Sequence, residues 1–296
     1  SRAHETAREV TKFLEDKKFQ KATRELETLV LEDLSRWYIQ LIRRRTWIES
    51  DDPKKEVAYQ TLYKVFKIIT KILAPIMPHV TEEMYQKMFR DAEPDSPESV
   101  HQLEWPEIDE EKINEELEED MDIVRELVEA GSKARQRAEL KRRWPVKKVI
   151  IKVEDEETKG SVDRLKRILL NQLNCKEIVT LTEDEFSEEV ETVCSVNVES
   201  LRDRYGDLAT SIRDALQNMD QESIQNRAES QGFLGITVEG EKIKVGLNDL
   251  SFGQLPKHLV SAESPDGEVV IDKSVDFELE SERLARDVVR RLQEMR

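Results

Sequence analysis

The chain has 296 residues, enough for two ordinary domains, with 38% hydrophobic and 38% charged residues and a formal net charge of −17. No apolar run approaches the roughly 20 residues of a bilayer-crossing helix, which excludes a helical membrane protein. The charge taken alone argues against nucleic-acid binding, because phosphate contacts need Lys and Arg.

The first half predicts helices. Ala3, Ala7, Val10 and Leu14 repeat at helical spacing, as do Phe19, Ala22, Leu26 and Leu29, and then Leu34, Tyr38, Leu41 and Ile48 with Arg45 in the same row. Asp51-Asp52-Pro53 is expected to end that helix. Ala58, Leu62, Val65, Ile69 and Leu73 mark the next one, which Pro75 and Pro78 interrupt. Thr81 is a candidate N-cap for a short helix over 82–89, and 91–98 reads as a loop. A long helix is expected from about Ile113 to Arg143, stopping before Pro145. Several helices joined by short connections predict an antiparallel bundle.

The pattern changes at Trp144-Pro145. Val149–Val153 reads as a strand, Val162, Leu165, Leu169 and Leu173 as a helix, and Ile178–Leu181 as a second strand, a β-α-β order. Val190, Thr192, Cys194, Val196 and Val198 alternate like a half-buried strand. Helices are expected near Leu208–Leu216 and Ser223–Ala228. Ile236–Val238 and Ile243–Val245 form a hairpin around Glu239-Gly240. Ser264-Pro265-Asp266-Gly267 turns between two further strands. A helix over Glu278–Arg296 closes the chain, with Leu284, Val288, Leu292 and Met295 on one face. The expected fold is mainly α: a helical bundle over 1–144, then a smaller α+β domain over 145–296.

Catalytic chemistry is not visible in the residues. His4, His79, His101 and His258 are isolated, Cys175 and Cys194 form no Cys-x-x-Cys pair, and the nine glycines do not cluster into a phosphate loop. No catalytic or metal-ligating residue is assigned, and the two cysteines are expected as reduced, buried thiols. The charge distribution carries more information. Between Glu107 and Glu129 acids outnumber bases by ten, whereas between Lys133 and Lys148 bases outnumber acids by seven. On a continuous helix Arg36, Gln40, Arg43 and Trp47 fall in one stripe, and Lys133, Arg137 and Lys141 in another, flanked by Arg142 and Arg143. Arg forks onto phosphates and an indole stacks on an unpaired base, so both stripes are candidate RNA contacts. The alternatives are that Trp37 and Trp47 pack in the bundle, and that the late bases complement a helix dipole. Arg283, Arg286 and Arg290 form a third basic set, diluted by Asp287 and Glu294.

Five segments resemble one family. Leu34-Ser35-Arg36-Trp37-Tyr38 with Arg43-Arg44-Arg45-Thr46-Trp47 is similar to the helix that opens the anticodon-binding bundle of isoleucyl-tRNA synthetases. Leu73-Ala74-Pro75 through Pro78 to Thr81-Glu82-Glu83, and then Ser99-Val100-His101 with Trp105-Pro106, resemble stretches shared with the valine and leucine enzymes. Ala134–Val146 and Leu284–Arg296 resemble segments of the isoleucine enzyme itself. Val146 stands where Leu is usual there, and Arg283 where Gly is usual.

The resemblance implies a fragment of a class I, archaeal or eukaryotic-type enzyme: its anticodon-binding and C-terminal region, without the HIGH and KMSKS motifs or the editing domain. The missing initiator Met agrees with a fragment. The parent would attach isoleucine to its tRNA using ATP and Mg, while this region would use no cofactor and would be inactive alone. The expected partner is isoleucine tRNA, with no membrane, in a monomeric cytoplasmic protein. The expected tRNA-binding residues are Arg36, Arg43, Arg45 and Trp47, and Lys133, Arg137, Lys141, Arg142 and Arg143. The rival readings are a protein–protein docking module whose active surface is the acidic segment, and the equivalent region of a valine or leucine synthetase.

Overall fold

A computed structural model describes all residues except 94, 191, 192, 197, 218, 220–223, 225, 226, 229, 239 and 296. The chain forms two compact units, Ser1–Glu119 and Asp120–Arg296. Among the described residues no helix is long and apolar enough to cross a membrane.

The first unit is helical: α1 (Arg2–Glu15), α2 (Phe19–Glu27), α3 (Ile39–Ile42), α4 (Lys55–Leu73) and α5 (Pro78–Tyr85). Ala3, Ala7 and Val10 of α1 are buried at the predicted spacing. Together with Ala22 and Leu26 of α2 and Ile72 of α4, Ala7 and Val10 build one core. Leu29, Leu34 and Ile69 build a second core. Phe19, expected in the apolar row, is 60% exposed at the first position of α2.

Between α2 and α3 the chain winds as a π-helix over Thr28–Tyr38, whose i→i+5 bonding shifts the phase of every side-chain row that enters it. The helix then stops at Ile42 rather than at Asp51. Pro78 opens α5 at its first turn, where a missing N–H costs nothing, so Thr81 is not a cap. It lies inside the helix, and its hydroxyl donates to the Met77 carbonyl at 3.0 Å.

Two of the recognised segments meet in one joint of this unit. The Glu82 carboxylate accepts from Ser99 Oγ at 2.8 Å and from the Val100 N–H at 3.0 Å, and Gln86 Nε2 donates to its other oxygen. Tyr85 Oη donates to the Pro97 carbonyl at 2.6 Å. These bonds tie Pro97, Ser99 and Val100 to α5, and the hydrogen bond from Gln86, joined by those from Ser99 and Val100, holds the Glu82 carboxyl below its ordinary range.

The division between the units falls inside α6 (Glu115–Arg137). In the second unit follow β1 (Val146–Val153), α7 (Glu156–Arg164), α8 (Lys166–Leu173), β2 (Cys175–Thr182), α9 (Glu183–Glu189), β3 (Val193–Val196), α10 (Val198–Tyr205) and α11 (Leu208–Gln217). After them come β4 (Phe233–Val238), β5 (Glu241–Gly246), β6 (Leu250–Gln254), β7 (Leu259–Ser264), β8 (Gly267–Asp272) and α12 (Phe277–Glu294). This is the bundle-plus-α+β architecture that the sequence predicts. The side chains of the expected 190–198 strand, apart from Val190, and much of the expected 223–228 helix lie outside the described residues.

Four strands form a sheet in the order β2-β1-β8-β7. β1 and β2 are parallel, as the β-α-β pattern requires, and the other pairs are antiparallel. The crossover uses two helices, not one, with the break at Leu165. α6 and α8 pack against the sheet face that carries Val269. Gly131 of α6 comes so close that a Cβ there would stand 2.2 Å from Leu173 Cδ2 and 3.6 Å from Val269 Cγ1. On the opposite face Ile150 and Val270 are covered by Phe186 and Val190. The Ser264–Gly267 turn joins β7 to β8 as expected. Gly267 has φ +149°, and a Cβ on it would meet the Lys152 carbonyl at 2.3 Å.

Candidate nucleic-acid interface

In the first unit the predicted stripe is divided between two conformations. Arg36 lies on the π-helix and is ion-paired to Glu32. Arg43, Arg45 and Trp47 come after Ile42, in a loop, so no helical row joins them to Arg36. The loop is nevertheless built. Thr46 N–H donates to the Ile42 carbonyl at 2.9 Å, and Tyr59 Oη of α4 donates to the Thr46 carbonyl at 2.8 Å. Lys55 Nζ donates to the Ile48 and Ser50 carbonyls at 2.8 and 3.2 Å, and Arg45 Nε stands 3.5 Å from Asp52. These ties leave Arg43 and Arg44 exposed, Trp47 60% exposed and Ile48 88% exposed. An exposed indole beside guanidinium groups on a fixed loop can stack on an unpaired base while its neighbours meet phosphates. Tyr59 and Lys55, which set this loop, carry no sequence signal of their own. Only their place one turn apart at the start of α4 would have marked them.

In the second unit α6 ends at Arg137, six residues earlier than expected. Glu139 turns left-handed at φ 56°, and the Leu140 N–H closes the helix end on the Arg135 carbonyl at 2.9 Å. Lys133 and Arg137 are therefore helical, while Lys141, Arg142 and Arg143 lie in the connection to β1. Most of these groups have partners. Lys133 pairs with Glu129 at 2.8 Å, and Arg137 Nη1 donates to the Ser261 carbonyl of the edge strand β7 at 2.7 Å. Lys141 lies 4.4 Å from the Trp144 ring centroid and 3.4 Å from Asp287. Arg143 is ion-paired to Asp287. Arg142 is exposed.

This connection is held by the third basic set. Arg283 is buried, donates twice to the Pro145 carbonyl at 3.0 and 3.1 Å, and lies 5.5 Å from the Trp144 ring centroid. Arg286 donates to the Arg143 carbonyl and to Asn174 Oδ1, both at 3.0 Å. Asp287 accepts from Trp144 Nε1 at 3.1 Å. The hydrogen bond from Arg143, joined by that of Trp144, holds the Asp287 carboxyl down at about 2.

Arg135 is a second buried guanidinium. It donates to the Leu173 carbonyl at 2.6 and 3.1 Å, to Asn174 at 3.0 Å and to Trp144 at 2.9 Å. Burial, reinforced by Arg283, Arg142 and Arg286 nearby, lowers it to about 10. Burial likewise pushes the Cys175 thiol up to about 12, and the side chain of Cys194 lies outside the described residues.

Residues 1–151 match the family model described as the anticodon-binding domain of tRNA ligase. The chain is 41% identical to the isoleucine–tRNA ligase of Methanothermobacter thermautotrophicus over 282 residues, covering 95% of this chain and 27% of that protein. It is 41% identical to that of Pyrococcus abyssi over 297 residues, covering 100% of this chain and 27% of the relative. It is 39% identical to that of Methanosarcina mazei over 298 residues, covering 100% and 28%. The chain therefore spans little more than a quarter of the length of these relatives.

Proposed function

The chain belongs to the anticodon-binding domain family of tRNA ligases, and on that premise we propose that it holds the anticodon stem-loop of isoleucine tRNA within a longer isoleucine–tRNA ligase. The observation that carries this reading is the tied loop after Ile42, which offers exposed Trp47 beside exposed Arg43 and Arg44. Trp47 would stack on an unpaired base, and the arginines would meet phosphates on either side. Arg142 would supply a further phosphate contact from the second unit, and exposed Lys141 another by leaving its 3.4 Å contact with Asp287, which keeps Arg143 and Trp144. Lys133, Arg36, Arg45, Arg137 and Arg143 reach RNA only by giving up the partners described above, so they contribute less. The longer protein would activate isoleucine with ATP and Mg and transfer it to the tRNA in the cytoplasm as a monomer. The present region would position RNA and perform no chemistry.

The test is the affinity of this chain for isoleucine tRNA and for the same tRNA with a replaced anticodon, across salt concentration. Tighter binding of the natural tRNA, weakening as salt rises, is expected. Trp47→Ala should weaken it by roughly tenfold, in line with about 1–3 kcal/mol per stacked base. Equal affinity for both tRNAs defeats the anticodon assignment. Absence of salt-dependent binding favours a docking role for the acidic segment.

A further inference from the structure

The last helix, α12, is amphipathic with its faces inverted. The face that packs on the second unit carries Leu279 and the buried Arg283, and Arg286 and Asp287 beside it are bonded to Arg143, Trp144 and Asn174. The face turned away is apolar. At 3.6 residues per turn Phe277, Leu284, Val288, Leu292 and Met295 fall within an arc of about 80°, opposite Leu279. All five are exposed, between 49% and 85%. Leu284, Val288, Leu292 and Met295 are the row that the sequence marks as one apolar face. The arginines that bond to backbone carbonyls take the inner side of the helix, and the apolar row is left outside. Single exposed apolar side chains are ordinary, but a row of five along a whole helix marks an interaction surface.

Charge selects the occupant. α12 carries Glu278, Glu280 and Glu282 in its first half and Arg286, Arg290 and Arg291 in its second. Glu280 and Arg291, both exposed, border the apolar row on the same side. A twofold axis perpendicular to the helix exchanges its ends and keeps its sides. The flank of one copy then meets the same flank of the other, and each acidic half meets a basic half. With the axis at the level of Arg286, the middle of α12, Leu284 faces the partner's Val288 and Phe277 faces the partner's Met295. Glu280 comes within one residue of the level of the partner's Arg291. One register thus matches the apolar and the charged groups together, and the symmetry makes each match twice. We propose that α12 pairs antiparallel with α12 of a second copy of this chain, through Phe277, Leu284, Val288, Leu292 and Met295. Burial of the apolar row drives the pairing. The contacts between Glu280 and the partner's Arg291 fix its direction, because exposed ion pairs add little affinity but like charges side by side exclude the wrong arrangement. A parallel pair would set acidic half beside acidic half. The pairing is a property of the 296-residue chain and stands apart from the RNA-binding reading.

The test is sedimentation velocity of the 296-residue chain, without RNA, from about 5 to 500 µM. The chain should pass from monomer to dimer within that range. Leu284→Glu, at an exposed position and with an unchanged circular dichroism spectrum, should hold it monomeric throughout. Arg291→Glu and Glu280→Arg should each weaken the dimer by about tenfold, since each sets two like-charged pairs against one another. The double variant, Glu280→Arg with Arg291→Glu, restores opposite charges and should bring the dissociation constant back to within about threefold of the unmodified chain. A monomer at every concentration, or a dimer that Leu284→Glu leaves intact, overturns the pairing and gives the apolar row to another occupant. A double variant no tighter than the single ones overturns the antiparallel register.

Discussion

Arg135 and Arg283 are charged residues in a basic segment, and nothing in their type or spacing separates them from Arg142. Their surroundings do. Each is almost fully buried and donates to backbone carbonyls, so each fixes chain path and is withheld from any ligand. Asp287 reads in the sequence as an acid that dilutes a basic helix. In the fold it is the point where Lys141, Arg143 and Trp144 converge. Its folded carboxyl is held at about 2, below the ordinary 3.8, so the unfolded chain takes up the proton first. The stabilisation is therefore full above about pH 4 and is lost as the pH falls toward 2. Asp287→Asn should lower the melting temperature at pH 7, and the gap from the unmodified chain should narrow as thermal melts are repeated from pH 5 down to pH 3. A gap that stays constant with pH would mean that the carboxylate charge contributes nothing there.

Helix ends mark where legibility of the elements stops. The apolar rows of α1 and α4 and the β-α-β order follow from periodicity, because burial of one face imposes it. The ends at Ile42 and Arg137 do not. Both helices could continue on propensity alone, and each is stopped by tertiary ties: Tyr59 and Lys55 on one loop, Arg135 and Arg286 on the other connection. That is why two stripes that look continuous in sequence are each divided between a helical segment and a loop. Gly131 is the converse case, a small residue inside a helix with no turn to make. Its use is the close approach of α6 to Leu173, which is itself fully buried and has no room to yield. Gly131→Ala should gain helix propensity yet destabilise the second unit by about 1–3 kcal/mol through overpacking. Urea unfolding measures the difference, and an unchanged or raised midpoint would show that α6 shifts freely on the sheet.

At the scale of the whole molecule, a chain of net charge −17 repels a polyanion at long range, so affinity must come from contacts that release counterions locally. Segregation of charge along the chain was legible, since acids crowd 107–129 and bases crowd 133–148. Which bases stay open was not, because partners such as Glu129, Ser261 and Asp287 lie on other turns or other elements. The compact units also divide at Glu119, whereas composition changes at Trp144, since most of α6 packs with the sheet that follows it. Salt dependence separates the contributions of the two units. The slope of log affinity against log salt counts phosphate contacts, and each lost contact lowers its magnitude by about 1. Arg43→Ala with Arg44→Ala should lower it by about 2, and Lys141→Ala with Arg142→Ala by a similar amount, each measured with isoleucine tRNA from 50 to 200 mM salt. Arg135 and Arg283, being buried on carbonyls, set the control. Arg283→Met should cost thermal stability while the folded variant keeps the slope. A slope that falls with Arg283→Met as much as with Lys141 and Arg142 would mean that the basic segment acts through its fold and not through phosphate contact.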